Sequence, residues 1–310
     1  MTLTQYAETW LAGRAHKRSV YQDQVRWNKH LKPLAGKLKP NEVTVAVIKG
    51  WLPVLRSKGL SNSSIRLCIS LVSAMYSDLV EEGHAPFNPT KMLSKKTRQE
   101  YMKSTHDSKT VPFLPKPTDA WRVYEWLRDN RGIPMATTYA LGAFAGLRTG
   151  ECRALGWADV DLERRLFTIQ HSVEVVKVKG RMLSEEGVNP TKSGVARHVP
   201  IFDIMLPVLE LARQDAMGHD LVAPGPVRYT RERDISAAIK DALIALGLPR
   251  MSFYQATRHT FASQWVLAGG NIHTLSTMLG HHSVTVTEGH YVHLVPDRYT
   301  AEDRARIKAA

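Results

Sequence analysis

A chain of 310 residues, 43% apolar and 23% charged, is long enough for two domains with separate cores and has a globular composition. Its formal charge of +13 is uneven, about +10 in residues 1–110 and +3 in the rest, which points to a polyanionic partner, nucleic acid first, against the plainer alternative of a basic surface kept for solubility. Two distant cysteines, Cys68 and Cys152, exclude a disulfide scaffold and a Cys-based zinc finger; with no apolar run near the ~18 residues of a span and no signal core in MTLTQYAETW, the expectation is a cytoplasmic protein with reduced thiols and no membrane partner.

Residues 4–100 read as helical. TQYAETWLAG sets Tyr6, Trp10 and Leu11 at helical spacing, and SVYQDQVRWNKHL follows. TVAVIKGWLPVLRSKG repeats the pattern, with Pro53 as an expected break or kink. The clearest helix is SSIRLCISLVSAMYSDLVEEG, with Ser61 or Ser63 as N-cap and Gly83 to end it. The proline-rich stretch 104–118 reads as a linker between a helical domain, 1–103, and a mixed domain, 119–298, with a tail at 299–310. In the second domain, 119–130 and 134–146 read as helices, and LRTGECRAL starts another with Glu151 in its first turn. Residues 164–180 read as strand and 195–201 as a partner strand, with TKSG the turn before it. From 207 the pattern returns to helices, with Gly269–Gly270 as a helix–turn–helix-like break. The fold class is therefore mainly α with a small β-sheet, α+β.

Four separated stretches carry chemistry together: AGLRTGEC with Arg148, NPTKSGVARHVPI with Lys192, YQATRHTFAS with Arg258, and LGHHSVTVTEGHY with His281 and Tyr291. In this order they resemble the signature boxes of the tyrosine recombinases, the phage integrase family, and residues 4–90 resemble that family's helical core-binding domain. Each box alone is weak; an arginine beside a glycine turn is as often a capping residue, and an isolated tyrosine is more often packing. Two guanidiniums offer permanently charged, forked donors to phosphodiester oxygens that gain charge in the transition state. The resemblance makes Lys192 the acid for the departing 5′ oxygen, with Lys177 and Lys179 as rivals on the same hairpin. It makes Tyr291 the nucleophile of a 3′-phosphotyrosyl intermediate and His281 a phosphate contact. It implies no cofactor and no metal. Only histidines and Glu288 lie near Tyr291, in no familiar metal-ligand spacing.

Two departures from the family pattern stand out. The position three before the second arginine, usually histidine, is Gln255, which can donate to a phosphate but cannot act as a base. The proton of Tyr291 is thus left without an owner. His281 and Tyr291 are ten residues apart where nine is usual, so either the segment bulges or His282 takes the role; the LGH context favours His281. The basic first domain is expected to clamp double-stranded DNA through phosphate contacts, with Lys29, Arg66, Lys91, Lys95 and Lys96 as candidates. The resemblance implies a homo-tetramer on two DNA sites, with accessory DNA-bending proteins as further partners and a bacterial or phage origin. It leaves no room for an additional N-terminal arm-binding domain, so the expectation is a simpler recombinase or a truncated one. The rival readings are a non-cutting DNA-binding regulator, a type IB topoisomerase-like enzyme and a metal-dependent nuclease.

Overall fold

The computed structural model describes residues 1–15, 17, 19–103, 111–177, 184–190 and 195–295. The chain gathers into two units, Met1–Asp107 and Ser108–Ala310. The first contains α1 (Leu3–Gly13), α2 (Val20–Arg26), a π-helical turn (Trp27–Leu31), α3 (Lys32–Ala35), α4 (Val45–Ser57), α5 (Asn62–Glu81) and α6 (Lys95–Met102). Side-chain oxygens of Thr2, Thr44, Ser61 and Ser94 accept backbone N–H groups at the starts of α1, α4, α5 and α6, satisfying donors that have no partner inside a helix.

The spine of this unit is α5, whose Ile65, Cys68, Ile69, Val72, Met75 and Leu79 meet Trp27 and Leu31 of the π turn and Ile48, Leu52 and Leu55 of α4. At 20 residues and a mean hydropathy of 1.2, α5 is long and apolar enough to cross a membrane, which the run-length reading did not register. Its apolar stripe is instead the core of this unit. Pro53 does not break α4. It lies on the exposed face, where the carbonyl it leaves without an N–H partner, that of Lys49, can be met by water.

The second unit contains α7 (Pro117–Arg131), α8 (Ile133–Ala145), α9 (Thr149–Ala154), β1 (Val160–Asp161), β2 (Leu166–Ile169), β3 (His171–Lys177), β4 (Ser184–Pro190), β5 (Arg197–Pro200), α10 (Leu206–Asp215) and α11 (Glu232–Ala245). A π-helical turn (Gln255–His259), α12 (Thr260–Leu267), α13 (Ile272–Leu279) and α14 (Val284–Tyr291) follow. Every residue of α8 from Ala136 to Ala145 is buried, as expected of a helix apolar on all sides. Its neighbours in the core are Val123 and Leu127 of α7, Phe167 and Val199 of the sheet, Val208 and Leu209 of α10, and Ile239 and Leu243 of α11. The fold is mostly helical with little sheet, the expected α+β class.

The strand region departs in detail from the sequence reading. Residues 164–180 split at Gln170: β2 joins an antiparallel sheet of order β1-β2-β5, with Phe167 opposite Val199, while β3 pairs with β4, Val173 opposite Val188. The pairing of 195–201 with the upstream strand is thus present, through β2. The strand β4, SEEGVNP, has little intrinsic strand preference and owes its extended form to the pairing with β3. The TKSG turn with Lys192, Lys179 and the tail 299–310 lie outside the described residues. Of the proline-rich stretch, residues 104–110 also lie outside them. Leu114 is buried in the second core, its N–H donating to Thr260 Oγ1 at 3.1 Å and its carbonyl accepting from Gln264 Nε2 at 2.8 Å.

Two glycines end helices that matter below. Gly146 after α8 and Gly280 after α13 both sit in the left-handed region, at φ 71° and 62°. At Gly146 a Cβ would lie 2.6 Å from Phe261 Cδ1, so Gly146→Ala adds overpacking of roughly 1–3 kcal/mol to a left-handed cost of about 1–2 kcal/mol. Gly247, at φ 66°, has open space around its Cβ position, and Gly247→Ala carries the left-handed cost alone. Thermal unfolding of the two variants is therefore expected to show a clearly larger fall in Tm for Gly146→Ala; equal falls would mean that the contact with Phe261 does not constrain the chain.

Candidate active site

Three arginines from distant parts of the second unit meet at the ends of α8 and α13. Arg148 is the residue before α9, where the chain leaves Gly146. Its backbone N–H donates to Glu151 Oε2 at 2.8 Å, its Nη1 donates to Glu151 Oε1 at 2.8 Å, and its Nη2 donates to the Gly280 carbonyl at 3.2 Å. Arg258, in the π turn, is 1% exposed and donates to the carbonyls of Gly146 and Leu279. Arg197, the first residue of β5, donates to the Met278 carbonyl at 2.7 Å and grips Glu151 with two bonds, at 2.9 and 2.6 Å. The carbonyls at a helix C-terminus lack intrahelical partners and form the negative end of its dipole, so they are natural acceptors for buried cations.

The charge balance is uneven. Arg148 and Arg197 share one carboxylate, Glu151, whose side chain is 2% exposed, while Arg258 is held by carbonyls alone. Burial alone would raise the Glu151 carboxyl, but the bonds and charge of Arg197, with Arg148 second, hold it at about 2. Burial and the neighbouring Arg148 push Arg258 down to about 10, so it remains charged at neutral pH. The remaining excess of positive charge is what a phosphodiester complements.

His281 follows Gly280 and directs Nδ1 to Thr287 Oγ1 at 2.8 Å. Burial first, then the charges of Arg258 and Arg148, push its imidazole down to about 4, so it is neutral at physiological pH. His282 is exposed. The segment up to Tyr291 is an α-helix, α14, with Ser283 as its N-cap. Among the described residues, no trio of His, Cys, Asp or Glu side chains converges as metal ligands would.

Tyr291 ends α14 and is 1% exposed. Its hydroxyl lies 3.0 Å from His259 Nδ1. Burial first, and Tyr254 beside it, push the phenol well above its ordinary ionisation range, with Arg258 opposing. Gln255 uses its side-chain carbonyl to cap its own turn, accepting from Ser252 N at 2.8 Å and Ser252 Oγ at 2.9 Å, which leaves the amide NH₂ as its donor end. The sequence reading passed over three residues of this cluster: Glu151, noted only as a first-turn acid, Arg197, read only as strand, and His259, adjacent to Arg258. A glutamate three residues after Arg148, at the start of a helix, supplies only the reciprocal half of a capping box, accepting the Arg148 N–H, and was the available signal for Glu151.

In the first unit, Arg66, Lys91 and Lys95 line one cavity of about 500 Å³ together with Arg98 and Lys103. Arg98 is committed to the carbonyls of Leu93, Thr90 and Lys91. Lys29 lies apart from them, beside Lys58, His30 and Ser61, and Lys96 is exposed on α6.

Removing the shared carboxylate tests how the cluster is held. In Glu151→Gln, Arg197 and Arg148 keep a neutral partner only, a loss of about 3–5 kcal/mol for breaking a buried pair. Because Glu151 is depressed from 4.5 to about 2, its contribution is full above pH 4.5 and is lost as pH falls toward 2. The Tm gap between wild type and Glu151→Gln is expected to be steady from pH 5 to 8 and to close in acid; a gap unchanged by acid would show that charge is not what the carboxylate supplies.

Residues 128–298 match the model of the phage integrase family. The chain is 23% identical to a XerC-like tyrosine recombinase of Caldanaerobacter subterraneus over 97% of this chain and 81% of that one. It is 24% identical to the tyrosine recombinase XerD of Rickettsia conorii over 94% of both. Among solved structures, the Tn1549 transposon integrase in complex with transposon right end DNA superposes with a TM-score of 0.77 at 18% identity, covering 98% of both chains. A lambda integrase dimer bound to a core site does so at 0.69 and 16%, covering 92% of this chain and 97% of that one. The family match spans more than half of the chain and includes Arg148, Arg258, His281 and Tyr291: the protein belongs to the phage integrase family, the tyrosine-type site-specific DNA recombinases.

Proposed function

We propose that this recombinase cuts and rejoins double-stranded DNA through a 3′-phosphotyrosyl bond to Tyr291. The observation that carries the proposal is the guanidinium cluster. Arg148 and Arg197 share the carboxylate of Glu151, Arg258 is held beside them by the Gly146 and Leu279 carbonyls, and the charge of Arg258 acts on both His281 and Tyr291. Arg148 and Arg258 would bind the non-bridging oxygens, which gain charge as the phenol oxygen adds to phosphorus. His281, neutral at pH 7, would donate one hydrogen bond to the same phosphate, and the Gln255 amide a second. Lys192 would return a proton to the 5′ oxygen. The covalent bond keeps the energy of the broken phosphodiester, so rejoining needs no nucleotide.

The basic cavity of the first unit and the Lys29 region would supply phosphate contacts that fix the protein on the duplex. Such contacts release counterions, so affinity should fall steeply with salt. Assembly as a tetramer on two sites is the arrangement this reading favours; a lambda integrase tetramer is known bound to a Holliday junction.

The test uses nicked duplexes drawn from the DNA that flanks this protein's own gene, incubated with protein in chelator and then denatured. Wild type is expected to form a covalent protein–DNA adduct, and Tyr291→Phe to bind the same DNA without one. Retardation without an adduct on every flanking fragment would favour a binder that does not cut, and relaxation of any supercoiled plasmid without paired sites would favour a topoisomerase.

A further inference from the structure

Resting on that reading of Tyr291, we infer that His259 is the base that takes the Tyr291 proton during strand cleavage. The geometry fixes the tautomer. His259 Nε2 lies 3.3 Å from the carbonyl oxygen of Val111, which can only accept, so Nε2 carries the ring hydrogen. In the neutral ring Nδ1 is then a bare lone pair, and it lies 3.0 Å from the Tyr291 hydroxyl, which must be the donor. The ring is held in place: it is 4% exposed, packed edge-on by Phe113 at 6.0 Å and stacked with Tyr254 at 6.3 Å. The titratable groups that face it are Tyr291 and His290 of α14, His293 just after it, and Tyr254 before the π turn.

The step balances. The Tyr291 O–H bond breaks and its proton passes to His259 Nδ1, giving an imidazolium. The phenolate oxygen bonds to phosphorus, and the P–O5′ bond breaks with its electrons on the 5′ oxygen. Rejoining runs in reverse, the imidazolium returning the proton to the departing phenol. Burial chiefly, with His290 and His293 adding to it, lowers the His259 imidazole below its ordinary 6.5, while the Val111 carbonyl opposes; the base form is therefore present at neutral pH. The phenol is pushed the other way, so it gains most from a partner that accepts the proton as the bond to phosphorus forms.

The experiment is single-turnover cleavage as a function of pH, with wild type, His259→Asn and Tyr291→Phe on the nicked duplex that gives an adduct. Asparagine can accept the hydrogen bond near the Nδ1 position but cannot take the proton. The wild-type rate is expected to fall with a first-order proton dependence on an acid limb displaced below the ordinary imidazole range. His259→Asn is expected to bind DNA as wild type does, to lose about a hundred-fold or more in rate, and to lack that limb. A substrate with sulfur in place of the 5′ oxygen, whose thiolate leaves without a proton, should not restore it. Nitrogen NMR of wild type, which requires no variant to fold, should show the Nε2–H tautomer with bare Nδ1. An unchanged or faster rate in His259→Asn, rescue by the sulfur substrate, or a neutral ring protonated at Nδ1 would each overturn the inference while leaving Tyr291 as the nucleophile. Absence of a Tyr291-dependent adduct in wild type would remove the reading of the site, and this inference with it.

Discussion

The structure of the second unit turns on how one buried and two partly buried guanidiniums are held around a single carboxylate. Arg148, Arg197 and Arg258 have one acid among them, Glu151, and the rest of their hydrogen bonds run to the carbonyls of Gly146, Met278, Leu279 and Gly280. These carbonyls are available because α8 and α13 end there, each in a left-handed glycine that turns the chain away. Helix ends thus supply partial negative charge that positions cations without neutralising them. A second carboxylate in place of these carbonyls would halve the net positive charge of the cluster and leave less for a phosphate to offset.

The π turn at Gln255–His259 is the complementary device. Within it Arg258 reaches the two helix ends while the next residue, His259, reaches Tyr291. The turn is pinned from outside its own helix. Thr260 Oγ1 donates to the Gln255 carbonyl at 2.7 Å and accepts the Leu114 N–H, while Val111 orients the His259 ring. The irregular stretch before α7 therefore sets the geometry of the site, although its sequence has the prolines and polar residues of a connector. Gln255 stabilises the same turn with its side-chain carbonyl, a structural task that glutamine performs here without any proton chemistry.

Much of this was legible in the sequence where local chemistry decides the structure. The α5 stripe, the Ser61 cap and the start of α9 at Arg148 follow from periodicity and capping alone. What was not legible depends on pairing across long separations. The strand β4 is extended because β3 lies beside it, a fact that SEEGVNP does not announce. Arg197 looks like any strand arginine until β5 brings it 2.6 Å from Glu151, 46 residues earlier in the chain. His259 was hidden by its neighbour. A regular helix would point adjacent residues about 100° apart, so one function near Arg258 gave no reason to expect a second at the next position.

These two devices bear on each other through Tyr291. Its hydroxyl is shielded, 1% of the residue being exposed, and it is held to the π turn through His259. Burial keeps the phenol protonated, and the charge of Arg258 offsets only part of that. An arriving phosphodiester would bring its own negative charge to the cluster and offset part of the field that favours a phenolate, so the Tyr291 proton would have to pass to a neighbouring base. Binding would then draw on the arginines and proton removal on the π turn that holds Tyr291.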